Sequence, residues 1–439
     1  MFTYDLAILG AGPGGYTAAL YAAQLGMKVC LIEKAEVGGE CLNWGCIPTK
    51  AFAASAKILS QIRNSESFGI KTEGVKPDYQ KIFARKEEIV KKLKNGLLML
   101  IKSGKIDLKN GKGVLSDKNT IKIGNESVSA KNIIIAAGSA AKSLPGIEID
   151  GVNSLTSREA LNLKSLPDEL VIIGGGAIGC EFASIFVSFG VKITIMELMQ
   201  QLIPESDNEL AKRLEAALKT KGIDVRIGQK IEPDSLNKNT KILISIGRAP
   251  NVDNLGLEKI GLEFDKKGIK VNNTLKTNID NIYAIGDCIG GYMFAHTASY
   301  EATIAVNNIS GKKDTADYRA VPYCIFTDPD IASSGISEIK ARATGIDAEV
   351  SKFFFRALGK AHALGKTEGF IKMVTEKNTN KILGVDIMGE GATELIAEAT
   401  LAIKNGNTAG DLARTIHAHP TMAEALLEVA HLADKHESN

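Results

Sequence analysis

Two cysteines five residues apart, Cys41 and Cys46, sit in the stretch GGECLNWGCIPTK that runs from Gly38 to Lys50. Thiols at this spacing suggest a redox disulfide, and geometry sets a condition on the chain between them. In a regular α-helix five residues rise about 7.5 Å, slightly beyond the ~7 Å Cα limit for a bridge. The segment therefore closes a bridge only if it is not plain helix. Gly45 and Pro48 supply the irregularity, because glycine opens backbone space and proline is tolerated only in a helix's first turn. A helix beginning near Pro48 aims its positive end at Cys46 and favours a thiolate there. By spacing alone, two buried free cysteines or half of a zinc site stand level with the redox pair. A zinc site needs four ligands, and the remaining close pair of such residues is His417 with His419, so no metal is expected.

Those histidines lie in HAHPTMAE, ending at Glu424. Thr421 and Glu424 have the spacing of a capping box opening the last helix. The alternative is a base whose imidazole is oriented by a carboxylate, which fixes its tautomer and raises its basicity. Spacing leaves both readings open. A further carboxylate, Asp287, closes the apolar run NIYAIGD (281–287), and from this segment alone it reads as an ordinary turn residue.

The elements that position these groups begin with a βαβ unit. Tyr4 to Leu9 is a strand, Gly10, Gly12 and Gly15 fill a G-x-G-x-x-G turn, Tyr16 to Gly26 is a helix, and Lys28 to Glu33 is a strand ending in an acid. Such glycines permit a tight turn, close approach of backbone to a pyrophosphate and close helix packing, while the terminal carboxylate suits a ribose hydroxyl. The unit recurs at a constant offset of 164 residues, with Gly174, Gly176 and Gly179 in the turn and Glu197 at the end. Two dinucleotide sites and a thiol pair suggest electrons passing between two dinucleotides and a disulfide. No Arg follows Glu197 within Leu198 to Gln201 to hold a 2′-phosphate, which favours NAD over NADP.

Between the repeats lie hairpin-like segments from Lys105 to Val128 and a buried strand within Lys131 to Gly138. From Gly222 to Gly247 the chain offers one alternating strand, a polar loop and the strand Lys241 to Ile246. After Pro322 the texture changes to alternating stretches at 370–374 and 382–388, then helical periodicity at 393–404 and 422–431, an α+β domain.

The chain's 439 residues suggest about three domains. A net charge of +2 gives no electrostatic footprint for nucleic acid, and Lys91, Lys92 and Lys94 read as a solvated helix face. Asp5 interrupts any signal-like start, and no apolar run reaches the ~18 residues of a membrane span. A soluble cytoplasmic protein with no nucleic-acid or membrane partner is expected.

Taken together, the motifs resemble the flavoprotein pyridine-nucleotide disulfide oxidoreductases over nearly the whole chain. The resemblance implies an α/β fold with two Rossmann-like dinucleotide-binding domains, for FAD and NAD, plus a C-terminal α+β dimerisation domain. The expected domains are 1–148 and 276–320 for FAD, 149–275 for NAD and 321–439 for the dimer interface. It implies FAD contacts from Glu33, Lys50, Gly113, Asp287 and Ala295, and NAD contacts from Glu181, Glu197 and Gly247. Cys41 becomes the thiol facing substrate and Cys46 the thiol facing the flavin, with Lys50 and Glu181 an ion pair beside the flavin ring. His419 and Glu424 become the acid-base pair, reaching the disulfide of the partner in a homodimer. The implied reaction oxidises dihydrolipoamide and reduces NAD, the lipoyl group being carried by an acyltransferase core or a glycine-cleavage carrier. Alternatives are an NADH-dependent reductase of another disulfide, and a mainly docking component of a multienzyme complex. Members reducing mercuric ion lack the histidine, and those acting on glutathione carry arginines for NADP; this sequence fits neither. Three positions depart from the usual pattern. Glu40 stands where many relatives have Thr, with an expected effect on the flavin potential. Ala177 stands where some carry a gating Tyr, implying an open nicotinamide pocket. The segment 222–247 is short, leaving little room for a β-meander.

Overall fold

The computed structural model describes residues 2–230 and 240–434. Tyr4–Leu9 (β1) and Val29–Glu33 (β2) are parallel neighbours joined by Pro13–Gln24 (α1). Helices cover the sheet, so these strands are largely buried and read as continuous apolar runs. The chain then forms Gly39–Trp44 (α2), Cys46–Arg63 (α3) and Tyr79–Ser103 (α4) before Asp107–Asn110 (β3) joins the sheet beside β2. Gly113–Asp117 (β4), Thr120–Ile123 (β5) and Glu126–Ile135 (β6) make an antiparallel meander. The first half of β6 pairs with β5 and its second half lies parallel to β1.

Ser139–Ala141 (β7) leads out of this unit. The second unit holds Ser154–Leu155 (β8), Ser157–Ala160 (α5), Glu169–Ile173 (β9), Ala177–Ser188 (α6), Lys192–Glu197 (β10), Asn208–Thr220 (α7), Asp224–Ile227 (β11) and Lys241–Ile244 (β12). Its parallel sheet runs β11-β10-β9-β12-β8. The sequence repeat holds in three dimensions: α6 starts and ends 164 residues after α1. In both units the first fingerprint glycine has a positive φ that favours glycine, +108° at Gly10 and +103° at Gly174. A Cβ on Gly15 would stand 1.8 Å from the Gly10 carbonyl oxygen, and one on Gly179 2.0 Å from that of Gly174. The polar loop expected within 222–247 falls partly outside the described residues, at 231–239.

The chain returns through Arg248–Pro250 (β13), which pairs antiparallel with β7. Phe264–Asp265 (β14) and Gly268–Ile269 (β15) form a small hairpin. Val252, Leu255, Leu257, Leu262 and Ile269 pack with Ala7, Leu115 and Ile133, so the stretch 252–269 shares the core of the first unit. Ile282–Ala284 (β16) then pairs with β6, and Ala295–Ile309 (α8) follows.

The third unit is an antiparallel sheet of Tyr323–Ile325 (β17), Ile331–Gly335 (β18), Ala348–Phe354 (β19), Gly369–Glu376 (β20) and Ile382–Gly389 (β21), ordered β17-β18-β21-β20-β19. Glu338–Ala343 (α9), Gly359–Ala363 (α10), Ala392–Asn405 (α11), Ala409–Ala413 (α12) and Glu424–Ala433 (α13) complete it. The alternating stretches at 370–374 and 382–388 are β20 and β21, as their period of two requires.

All three units share one core around α3 and α6. Phe52, Phe182 and Phe186 are fully buried there together with Ile331 and Phe370, and truncating such a phenylalanine costs about 3–5 kcal/mol. This packing fixes Lys50, two residues before Phe52, relative to Glu181, one before Phe182.

Candidate active site

Gly45, with φ −132° and ψ −108°, separates α2 from α3. The chain therefore turns between Cys41 and Cys46, and Cys46 is the first residue of α3. That start lies ahead of the one near Pro48 expected from sequence, because Gly45 alone makes the break and Pro48 fits inside the first turn. The two thiols are hydrogen-bonded to each other. The bond from Cys41, helped by the Lys50 charge, holds the Cys46 thiol below its ordinary pKa against the opposing effect of burial. The same bond and burial push Cys41 up. In the reduced pair Cys46 is thus the more acidic thiol.

Lys50 Nζ donates to both carboxylate oxygens of Glu181, at 3.0 and 2.9 Å, and lies 4.2 Å from the centre of the Phe326 ring. The Phe326 backbone N–H donates to Glu181 Oε1 at 3.0 Å. Residues from α3, α6 and the loop after β17 thus meet at one ion pair, and the buried Glu181 is satisfied on both sides.

Glu33 Oε2 and Oε1 accept from the N–H groups of Ala11 and Ala35, each at 2.8 Å. Glu197 repeats the arrangement with Gly175 at 2.6 Å and Met199 at 2.7 Å. The N-termini of α1 and α6, at Gly12 and Gly176, have no capping side chain and no acidic residue in the first turn. A Cβ on Gly176 would meet nothing within 4 Å. Open, uncapped helix N-termini are anion sites, so the residues present fit the pyrophosphate of one dinucleotide in each unit.

Asp287 follows β16 and accepts from the Ser139 hydroxyl. Two residues that the sequence reading did not assign support it. Arg248 Nε donates to Ser139 Oγ at 2.7 Å and lies 4.0 Å from Asp287 Oδ2. Buried Glu301 accepts from the Gly286 N–H at 2.6 Å and from the Tyr318 hydroxyl at 2.8 Å, holding the turn that carries Asp287. A charged residue among Ala302, Ile304 and Ala305 was the available sequence signal for Glu301. Ala295 opens α8, Gly247 has φ +103°, and a Cβ on Gly113 would stand 2.5 Å from a Leu9 methyl. Tyr16 was also missed: it lies beside both thiols, and burial and their charges raise its hydroxyl pKa.

His419 is on the third unit, with 78% of its side chain exposed, and its Nδ1 is 2.8 Å from Glu424 Oε1. Among the described residues no hydrogen bond joins it to Cys41 or Cys46 of its own chain. The His417 side chain is only 5% exposed, with Nδ1 2.9 Å from the Thr415 carbonyl and Nε2 3.0 Å from Glu398. The two histidines therefore differ: one is tied at both nitrogens, the other has Nε2 toward solvent.

Residues 4–302 match the family model for pyridine nucleotide-disulphide oxidoreductases, and residues 321–430 match that family's dimerisation domain. The chain belongs to the pyridine nucleotide-disulphide oxidoreductases, flavoproteins that use FAD and NAD, and its third unit is the dimerisation domain of a homodimer. Its relatives include the dihydrolipoyl dehydrogenase of Chlamydia muridarum, 42% identical over 449 residues and covering 98% of this chain and 97% of that one. A dihydrolipoyl dehydrogenase of Bacillus subtilis is 40% identical over 464 residues, 98% of each. Among solved structures, the HOCl-induced flavoprotein disulfide reductase RclA from Escherichia coli superposes with a TM-score of 0.87 at 29% identity, over 98% of this chain and 100% of that one. LpdA from Mycobacterium tuberculosis gives 0.91 at 25% identity, over 97% and 99%. Among the described residues, no helix is long and apolar enough to cross a membrane.

Proposed function

We propose that this protein is a dihydrolipoyl dehydrogenase, oxidising dihydrolipoamide to lipoamide and reducing NAD to NADH. The observation that carries the reading is the Cys41 and Cys46 pair on either side of the Gly45 break, with the Lys50–Glu181 ion pair on the helix that Cys46 opens, in a chain whose relatives bear that name.

His419 of the partner subunit takes a proton at Nε2 from one dihydrolipoamide thiol. The resulting thiolate attacks Cys41 Sγ, the Cys41–Cys46 bond breaks, and Cys46 leaves as a thiolate. The second substrate thiol then displaces Cys41 from the mixed disulfide, its proton passing to the departing Cys41 sulfur, which closes lipoamide and leaves Cys41 as a thiol and Cys46 as a thiolate. Bound FAD would supply two-electron transfer between the reduced Cys41–Cys46 pair and NAD. Lys50, tied to Glu181, places positive charge beside Cys46 and stabilises its thiolate. Glu424 holds the tautomer of His419.

FAD would be held by Gly10, Gly12, Gly15, Glu33, Lys50, Gly113, Asp287 and Ala295, and NAD by Gly174, Gly176, Gly179, Glu181, Glu197 and Gly247. The uncapped helix N-termini and their paired carboxylates support both assignments. Ala177 at the start of α6 leaves the nicotinamide side without a covering ring. The lipoyl group is carried by an acyltransferase core or a glycine-cleavage carrier protein, in the cytoplasm.

Comparing steady-state reduction of lipoamide and of glutathione disulfide by NADH tests the substrate. The reading requires lipoamide to be preferred by at least about 100-fold in kcat/KM, on the order of 2.7 kcal/mol of transition-state discrimination; a preference for glutathione disulfide would remove it.

A further inference from the structure

The outer face of α2 is held by two arginines that belong to the connections with the second unit. Glu40 and Trp44 are four residues apart and so share one face of this short helix. The guanidinium of Arg158, on α5 at the entrance to the second unit, lies 3.6 Å from the centre of the Trp44 ring. Arg248, on β13 at the exit, has Nη1 3.8 Å from Glu40 Oε1. The Arg158 charge also acts on Glu40, as do those of Glu159 and Asp287. No residue of α2 is fully buried, and its one anchor in the core of the first unit is the partly buried Leu42. Its inner side is fixed by Asn43, whose amide donates to the carbonyls of Val37 and Gly39.

We infer that Arg158 and Arg248 form a clamp that positions the Cys41 helix, with Trp44 and Glu40 as its contact points. This rests on the thiol exchange proposed above. Ring closure of a disulfide depends on how often the two sulfurs are presented to each other, because ordering the connecting chain has an entropic cost. A clamped α2 presents Cys41 to Cys46 at the break made by Gly45, and a loosened α2 presents it less often. Opening the clamp therefore shifts the pair toward the dithiol. A planar cation on an indole is the stronger contact, whereas a half-exposed ion pair is weak and screened by salt. The clamp thus depends chiefly on Arg158 and secondarily on Glu40.

The test measures the thiol–disulfide equilibrium of Cys41 and Cys46 in the holoenzyme against graded ratios of reduced to oxidised dithiothreitol, trapping thiols by alkylation and counting them by mass. R158A is expected to shift the equilibrium toward the dithiol by about 5-fold, R158K by less, and E40Q by about 2-fold, an effect that vanishes in 1 M salt. Tm should stay at the wild-type value, and acrylamide should quench the single tryptophan more readily in R158A. Equilibria for R158A and E40Q indistinguishable from wild type would overturn the clamp. Should R158A fail to fold, R158K and E40Q decide: salt-sensitive displacement of E40Q supports the clamp and its absence overturns it. If the wild-type pair forms no disulfide at any ratio, the exchange chemistry itself falls and the clamp with it.

Discussion

His419 Nδ1 stands 2.8 Å from Glu424 Oε1, while the other oxygen of the same carboxylate accepts the Thr421 backbone N–H at 2.9 Å. A carboxylate only accepts, so Nδ1 carries the proton and Nε2 is the basic nitrogen. The Thr421 hydroxyl donates to the Ala418 carbonyl instead of completing a capping box. The two sequence readings of this motif thus describe one glutamate with two partners, and the His419 bond holds its carboxyl below the usual carboxylate range.

His419→Gln is expected to lower dihydrolipoamide oxidation by a factor of about 10² to 10⁴ while leaving Tm unchanged, since the ring is exposed. His417→Gln should do the reverse, lowering Tm through the lost bonds to Glu398 and Thr415 with a smaller effect on turnover. Turnover and thermal melts of both variants check this; equal turnover losses would remove the distinction.

The thiol pair gives a second expectation. Lys50 lowers the Cys46 pKa, so Lys50→Met should raise it and leave the buried Glu181 with only the Phe326 N–H as partner. The pH profile of iodoacetamide alkylation at Cys46 in the reduced enzyme, read by mass, should move to higher pH in this variant. An unchanged profile would assign the Cys46 thiolate to the bond from Cys41 alone.

How much of this site was legible depended on distance along the chain. Gly10, Gly12, Gly15 and Glu33 form a local pattern, and the repeat at Gly174 to Glu197 doubled its weight; both became βαβ units with the helix ends in register. Helix rise required a break between Cys41 and Cys46 only if the two thiols bridge, and Gly45 was the local signal for it. Arg248 gave no local signal because its partners Ser139, Glu40 and Asp287 lie at remote positions. His417 and His419 could not be ranked from sequence, since burial against Glu398 separates them and that contact arises only when α11 packs on the third sheet.

Asp386 is the cross-strand partner of Lys372 in the third unit, and Lys372 is bonded at 2.7 Å to Asp207 of the second. Burial pushes the Asp386 carboxyl up from 3.8 to about 6. A raised acid pKa means that the unfolded chain ionises first. No penalty exists below the unfolded value, and stability is lost as pH rises through that value toward the folded one. The loss is of order 1–3 kcal/mol above pH 6. Asp386→Asn should therefore be more stable than wild type at pH 8, by roughly that amount, and by much less at pH 4. Urea denaturation at the two pH values measures the difference; lower stability of the variant at pH 8 would show Asp386 ionised and paired with Lys372.

Anaerobic titration of the purified enzyme with dihydrolipoamide, followed through the visible spectrum and then by addition of NAD, addresses the proposed chemistry most directly. A long-wavelength charge-transfer band from the Cys46 thiolate should grow with substrate, be absent in Cys46→Ser although flavin stays bound, and disappear as NAD is converted to NADH. A spectrum unmoved by dihydrolipoamide but bleached by NADH would contradict the substrate and the direction of electron flow, while leaving the fold and its cofactors in place.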